Sequence, residues 1–248
     1  MPNPPVHAAL AFELADRLGQ PVVDRHVGAL LLGATAPDIR AMLSVDREHT
    51  HFSALDSTAI DAGVEGLFSA HPRLAPLLEL PEETQAFLLG YISHLVADQA
   101  WINTMYRPFF EDAVRFPDRT TANVMDRALQ LEMDRQAAAD VARALPLLDG
   151  AEAGIDVGFI EEVALKEWRE RMETRFAEGF SWDRLRFMAR RRQDPAEVPL
   201  AERVADEFLD SVSRGLEGLE AVVPWRRVEE YRALVLTESE RLARRLIE

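Results

Sequence analysis

The fold class follows from residues 81–101, which read PEETQAFLLGYISHLVADQAW. Proline followed by two glutamates is typical of the first turn of a helix, and the residues after them are apolar at three- and four-residue spacing. The same spacing recurs along almost the whole chain, strand-like alternation is nearly absent, and proline and glycine fall mostly at the edges of the periodic segments. The sequence therefore predicts an all-α protein with a long apolar helix that runs from this proline toward Tyr106.

Further helices are predicted before and after this apolar helix. A helix over Val6–Leu18 should stop at Gly19, and a second helix, capped by Asp24, should run to about Gly33. A long connection, Ala34–Phe52, follows and carries an unusual density of aspartate and histidine. The remaining predicted helices cover Ser57–Ala70, Thr121–Leu147, Phe159–Gly179, Trp182–Arg192, Leu200–Val222 and Trp225–Ile247.

The composition narrows the chemistry that the chain can perform. It has 248 residues and no cysteine, with 43 acidic and 28 basic side chains and a net charge of −15. Without cysteine there is no disulfide, thiol nucleophile or thiolate zinc finger, so a metal must be held by histidine, carboxylate or backbone oxygen. The net charge argues against a long nucleic-acid groove, because phosphate contacts need clustered lysine and arginine.

The N-terminal segment and the apolar stretches predict the location of the protein. The first residues, MPNPP, show no basic region followed by an apolar region and a cleavage site. The longest apolar stretch, Val27–Pro37, is about half of the ~20 residues that cross a bilayer. We therefore expect a cytoplasmic protein without a transmembrane segment.

His94 and Asp98 lie four residues apart in the predicted apolar helix. At that spacing both side chains project from one face and can bind one metal ion, although a hydrogen bond on the helix surface explains the same pattern. Leu89, Ile92 and Leu95 make the surroundings apolar, which predicts that the pair is buried. Buried ionisable groups need partners, and metal ions are among them.

A second group of candidate ligands lies in the connection between the helices. Pro37 disfavours helix for the residue before it, so Asp38 is expected in an irregular segment where its carboxylate can be aimed. His49 and His51 are two residues apart, which in an extended segment places both on one side. The alternative is a solvated acidic loop with incidental histidines. His7, alone at the start of the first helix, fits a ligand, a surface residue or a capping residue.

The distribution of histidine divides the chain in two. All six histidines lie in the first 94 residues, and they are His7, His26, His49, His51, His71 and His94. We interpret the chain as a single all-α domain over residues 1–248, with a metal-site half over about 1–148 and a helical scaffold half over about 149–248. We interpret His26 and His71, at helix ends, as structural or solvent-facing.

Together these segments resemble the zinc-dependent phospholipase C family, which is related to the S1/P1 nucleases. The pattern is a histidine near the N-terminus (His7), Gly-x-x-x-Pro-Asp at residues 33–38, Thr-His-Phe at residues 50–52 and Gly-Tyr-x-x-His-x-x-x-Asp at residues 90–98. The resemblance implies a multi-helix bundle of the phospholipase C and P1 nuclease fold. It also implies a metal-dependent hydrolase of phosphoric (di)esters that uses a zinc-bound hydroxide on a small-molecule or lipid phosphoester.

Carried over position by position, the resemblance implies two neighbouring zinc ions that share Asp98. The first is held by Asp38, His51, His94 and Asp98, and the second by His7 and Asp98. Asp38 would also be the catalytic residue that orients or deprotonates the attacking water. Zinc lowers the pKa of bound water from ~15.7 to about 7, and paired ions stabilise the attacking and leaving oxygens of a phosphoryl transfer.

The chain departs from the family at a third zinc ion, whose ligands include histidines after the His-x-x-x-Asp segment. No histidine follows His94, so that site is either absent or rebuilt from carboxylates. Glu132 and Asp134 lie in the appropriate region, as does Asp126. The alternative for these acids is an exposed helix face with arginines nearby.

Three further side chains and one further function stay open. His49 is an additional ligand, a substrate-contacting residue or an exposed one. Arg40 and Arg47 flank the candidate ligands and could bind a phosphate, although surface salt bridges explain them almost as well. The missing histidines favour an alternative to the hydrolase, namely a non-catalytic or structural metal-binding helical protein with a reduced site.

Overall fold

The computed structural model describes residues 1–112, 114–191 and 194–247. Within these ranges the regular secondary structure is helical and contains no strand, so the predicted all-α class is confirmed. The first α-helices are α1 (Pro4–Leu18), α2 (Pro21–Arg25), α3 (Val27–Thr35), α4 (Arg40–Leu43), α5 (Glu48–His51), α6 (Ala62–Ala70) and α7 (Glu82–Trp101). The later ones are α8 (Arg119–Gln136), α9 (Ala138–Ala144), α10 (Glu162–Ala177), α11 (Arg184–Arg190), α12 (Val198–Asp210), α13 (Val212–Val222) and α14 (Trp225–Ile247).

Two predicted segments before α6 differ from the structure. The single helix expected from Asp24 to Gly33 is two helices, because the backbone of His26 leaves the helical region with φ −121° and ψ 38°. Asp24 therefore lies inside α2 and caps nothing, while the His26 ring contacts Glu82 at 3.2 Å. The connection Ala34–Phe52 is itself partly helical, since it contains α4, α5 and a 3₁₀ turn over Ala36–Ile39.

Several later boundaries also differ. The helix expected from Ser57 begins only at Ala62. The helix expected over Thr121–Leu147 is interrupted at Ala137, where ψ is 3°. Leu200–Val222 is interrupted at Ser211, where φ is −152° and ψ is 80°, so α12 and α13 are separate helices. The predicted helix end at Arg192 lies outside the described residues.

The long apolar helix is the centre of the fold. Every residue of α7 from Thr84 to Trp101 is buried, and the helix packs against α1, α3 and α14. After Trp101 the chain continues as a π-helix over Ile102–Glu111, which contains Pro108. Because α7 is covered on all sides, any polar group that it carries must find its partners inside the protein.

Two glycines allow α3 and α7 to touch along their backbones. A Cβ atom at Gly90 would lie 2.0 Å from the carbonyl oxygen of Leu30, and one at Gly33 would lie 2.0 Å from the carbonyl oxygen of Phe87. Only glycine permits so close an approach. The contact brings the end of α3, and the 3₁₀ turn that follows it, beside the middle of α7.

The later helices complete the core in two ways. α14 packs directly on α7, where the Tyr231 hydroxyl donates a hydrogen bond of 3.2 Å to the carbonyl oxygen of Ala97. α8, α11 and α12 enclose a smaller apolar cluster that includes Leu131, Leu185 and Phe208. None of the helices in the described parts of the chain is long and apolar enough to cross a membrane.

Candidate metal centre

Four segments of the chain bring five ligand-type side chains together beside α7. His7 comes from α1, Asp38 from the 3₁₀ turn after α3, His51 from the last residue of α5, and His94 and Asp98 from α7 itself. Donor atoms of His7, His94 and Asp98 all lie within 4.8 Å of one another, and so do donor atoms of Asp38, His51 and His94. We refer to these five residues as the histidine–aspartate cluster.

The Asp98 carboxylate lies at the centre of the cluster. Its Oδ2 atom lies 3.1 Å from Nε2 of His51 and 3.7 Å from Nε2 of His94, while its Oδ1 atom lies 3.6 Å from Nε2 of His7. The four side chains are 2% exposed or less. The two carboxylate oxygens therefore face different imidazoles, as a carboxylate that bridges two ions would.

Hydrogen bonds outside the cluster orient two of the imidazoles. Nδ1 of His94 lies 2.8 Å from the carbonyl oxygen of Ala34, so this nitrogen carries the proton and Nε2 faces the cluster with its lone pair. Nδ1 of His51 lies 3.0 Å from the Thr50 hydroxyl, and the Thr50 carbonyl accepts a short hydrogen bond from the Tyr91 hydroxyl. Such outer partners set the tautomer and direction of metal-binding histidines.

The atoms that face the centre of the cluster lack hydrogen-bond partners. Among the described residues this holds for Nε2 of His7, His51 and His94 and for Oδ1 of Asp98, all of them buried. A buried polar atom without a partner is costly, and several at one point indicate a missing one. Imidazole nitrogens and carboxylate oxygens are ligands that zinc accepts, so the residues present fit this metal.

The electrostatics of the cluster favour a cation. Burial lowers the pKa of His51 to about 4, and burial together with the neighbouring His94 lowers the pKa of His7. Burial alone would raise the pKa of Asp98, but His94, His51 and His7 together hold it well below its usual value. The pKa of His94 is raised because Asp98 and Asp38 outweigh the effect of burial. His7 and His51 are thus held neutral beside a charged carboxylate, and His94 has to release a proton when a metal ion binds.

The predicted additional ligands lie apart from this cluster. All three acids lie on α8 and accept hydrogen bonds from other side chains. The donors to Glu132 are Arg135 and Gln136, the donor to Asp134 is Asn3, and the donors to Asp126 are Trp101 and Gln130. All three acids are buried, so the alternative of an exposed helix face is wrong. Within the described residues none of them joins a group of three metal-type ligands.

His49 points away from the cluster. The segment around it is helical rather than extended, and two neighbours at this spacing project about 200° apart on a helix. His51 is therefore buried and His49 exposed, which corrects the expectation that both lie on one side. His71 caps the C-terminal end of α6, and its ring stacks on Phe159 at 4.7 Å between ring centroids, as a structural residue would.

The sequence did not assign roles to Thr50, Tyr91 or the carbonyl of Ala34. Thr50 and the Ala34 carbonyl contact the rings of His51 and His94, and Tyr91 donates a hydrogen bond to the carbonyl of Thr50. Thr50 and Tyr91 belong to the quoted motifs, directly before His51 and three residues before His94. Their position beside candidate ligands within a motif was the sequence signal that could have identified them. The role of Ala34 carried no signal, because a backbone carbonyl has the same chemistry in every residue.

Comparison with known families supports the resemblance in the region that builds the cluster. A family model described as zinc dependent phospholipase C matches residues 6–101, a stretch that contains all five cluster residues. A search of curated proteins and a search of solved structures each found no match. The resemblance indicated by the motifs is thereby confirmed for this part of the chain, which is less than half of its length.

Proposed function

We propose that this chain is a zinc-dependent hydrolase of phosphoric esters, similar in chemistry to phospholipase C. The family match supports a metal-dependent hydrolase, and the histidine–aspartate cluster supports the site. The observation that carries the proposal is the set of buried ligand atoms that face one another without hydrogen-bond partners. These atoms come from four separate segments of the chain.

The proposed ligands are His7, Asp38, His51, His94 and Asp98, with two zinc ions. Asp98 offers one oxygen toward His7 and the other toward His51 and His94, which supports its assignment as the shared ligand. His94 lies within reach of both groups of donor atoms, so its removal should affect both ions. Asp126, Glu132 and Asp134 do not form a group of ligands for a third ion within the described residues.

In the proposed chemistry, the metal and the side chains of the protein have different roles. Bound zinc supplies Lewis-acid polarisation of the phosphoryl group and a lowered pKa for a bound water. Asp38 is half-buried at the edge of the cluster, whereas the other four residues are fully buried. Its carboxylate is therefore the one that can meet a water arriving from solvent, hold it by a hydrogen bond and accept its proton. The buried imidazoles of His51 and His94 keep their orientation through the hydrogen bonds of their Nδ1 atoms.

Two observations favour the alternative of a structural metal site. Four of the five proposed ligands are 2% exposed or less, and the family's later histidines are absent. A structural zinc ion has all its positions filled by protein, whereas a catalytic ion keeps one position for water or substrate. The two functions therefore differ in whether the zinc-loaded protein hydrolyses phosphoric esters.

The test combines metal content with turnover. Zinc is measured by elemental analysis in the untagged protein after gel filtration, and hydrolysis is followed with bis(p-nitrophenyl) phosphate, p-nitrophenyl phosphate and phosphatidylcholine micelles. His94→Ala should lose zinc and activity together. The matched control is His26→Ala, because the His26 ring contacts Glu82 at the protein surface and lies outside the cluster. Two zinc equivalents without turnover of any ester would favour the structural site, and a wild-type protein that binds no zinc would refute both functions.

A further inference from the structure

Two arginines accompany the ligands in the connection between α3 and α6. Arg40 begins α4, two residues after Asp38, and Arg47 directly precedes α5, the helix that ends at His51. The Arg47 side chain is only 11% exposed, and its Nη2 atom lies 3.4 Å from Oδ2 of Asp98. Each of the two short segments that supply a ligand thus also supplies a guanidinium group.

Both guanidinium groups contain donors that nothing in the described part of the protein satisfies. Nε of Arg40 and both Nε and Nη1 of Arg47 are buried and have no hydrogen-bond partner. Among the described residues Arg40 also forms no salt bridge within 4.0 Å. Arginine stays charged at every relevant pH, so loss of a proton does not remove these donors. Buried donors on a fixed charge require an acceptor.

The carboxylates nearby cannot serve as acceptors for these arginine donors once they bind metal. Asp98 already faces three imidazoles, and in the proposed function its charge is shared with the zinc ions. Two guanidinium groups with buried, unsatisfied donors in the segments that supply Asp38 and His51 form a site for an anion from outside the protein.

We infer that Arg40 and Arg47 bind the non-bridging oxygens of the substrate phosphoryl group beside the histidine–aspartate cluster. This inference rests on the proposed function and names the groups through which that site recognises its substrate. A planar guanidinium fork matches phosphate oxygens in geometry as well as in charge. The pair also explains how a chain of net charge −15 draws an anionic ester to one point of its surface.

The test measures phosphate binding rather than turnover. Zinc-loaded protein is freed of excess metal by gel filtration and titrated with inorganic phosphate in a calorimeter, and its zinc content is measured on the same sample. Arg40→Gln and Arg47→Gln should each weaken phosphate binding about 10-fold or more, because a charge-assisted hydrogen bond is lost. Arg227→Gln is the matched control, since Arg227 pairs with Glu230 on α14 and is 47% exposed. Its phosphate affinity should equal that of the wild type.

Zinc content separates this inference from the proposed function. A wild-type protein without zinc refutes the proposed function. Variants that keep their zinc and bind phosphate as tightly as the wild type refute only the arginine site. Loss of zinc from Arg47→Gln would show that Arg47 positions Asp98 and would overturn its assignment to phosphate. Circular dichroism of both variants verifies that the helices remain.

Discussion

Asp98 and Asp134 are both buried aspartates within helices, yet their surroundings favour opposite charge states. Asp98 on α7 faces the imidazoles of His51, His94 and His7, which hold its pKa well below the usual value against the effect of burial. Asp134 on α8 is 3% exposed, and burial raises its pKa to about 8, with a hydrogen bond from Asn3 opposing this shift only in part. Burial alone therefore does not make a carboxylate a metal ligand.

The difference lies in which groups converge on each carboxylate. Asp98 receives side chains from α1, α5 and its own helix, whereas Oδ1 of Asp134 has no hydrogen-bond partner among the described residues. Because burial raises the pKa of Asp134 to about 8, this acid is mostly protonated at neutral pH, and a protonated acid is a poor ligand. The comparison explains why Asp134, although buried, is a poor candidate for a metal ligand.

The largest expected effect is a difference in zinc content between variants of Asp98 and Asp134. Asp98→Asn removes the shared negative charge of the cluster, so zinc affinity should fall by more than about 100-fold, beyond the loss seen when outer partners of a ligand are removed. Asp134→Asn should keep all of its zinc. Elemental analysis of both proteins after gel filtration measures the effect, with circular dichroism to verify the fold. Retention of full zinc content by Asp98→Asn would contradict the assignment of Asp98 as the shared ligand.

The next effect concerns the backbone contact between α3 and α7. Asp98 lies on α7, whereas Asp134 lies on α8, outside this contact. Gly90→Ala places a Cβ atom 2.0 Å from the Leu30 carbonyl oxygen, so α7 and α3 must separate. Overpacking of this kind should lower the free energy of unfolding by about 3 kcal/mol. Urea denaturation followed by circular dichroism measures the change.

Gly218→Ala is the matched control for this substitution. Gly218 lies in α13, and a Cβ atom there meets nothing within 4 Å. Because alanine favours helix over glycine, this variant should be as stable as the wild type or more stable by up to about 1 kcal/mol. Equal stability of the two alanine variants would show that α3 and α7 do not depend on their close contact.

A smaller effect tests the charge state of Asp134 through pH. Its pKa is about 8 in the folded protein, against 3.8 for an unperturbed aspartate, so between these values the folded state holds a proton that the unfolded state has released. Stability from this group is full below about pH 4 and falls as pH rises toward 8, by up to about 1.4 kcal/mol per pH unit. Asp134→Asn should lack this decline. Unfolding free energies of both proteins at pH 5, 6 and 7 measure it, and parallel curves would disprove a protonated Asp134.

Much of the fold and part of the site could be predicted from local patterns. Three- and four-residue apolar spacing identified α7 and most other helices, because a helix repeats its buried face at that interval whatever surrounds it. The same interval placed His94 and Asp98 on one face, since four residues span about one turn. The motifs around Gly33 and Gly90 contained the residues that permit the close contact of α3 and α7.

The remaining features depended on contacts between distant parts of the chain. His7 and His51 reach Asp98 because α1 and α5 pack against α7, and no local spacing records that packing. His49 turned outward because one helical turn replaced the expected extended segment.

The sequence by itself thus determined the helical periodicity and the chemical types of the candidate ligands, which are properties of neighbouring residues. Tertiary structure alone decided which carboxylate is surrounded by imidazoles and which is left with a single donor. The physical reason is that the pKa and the coordination of a buried group depend on whichever side chains long-range packing brings within a few ångströms of it.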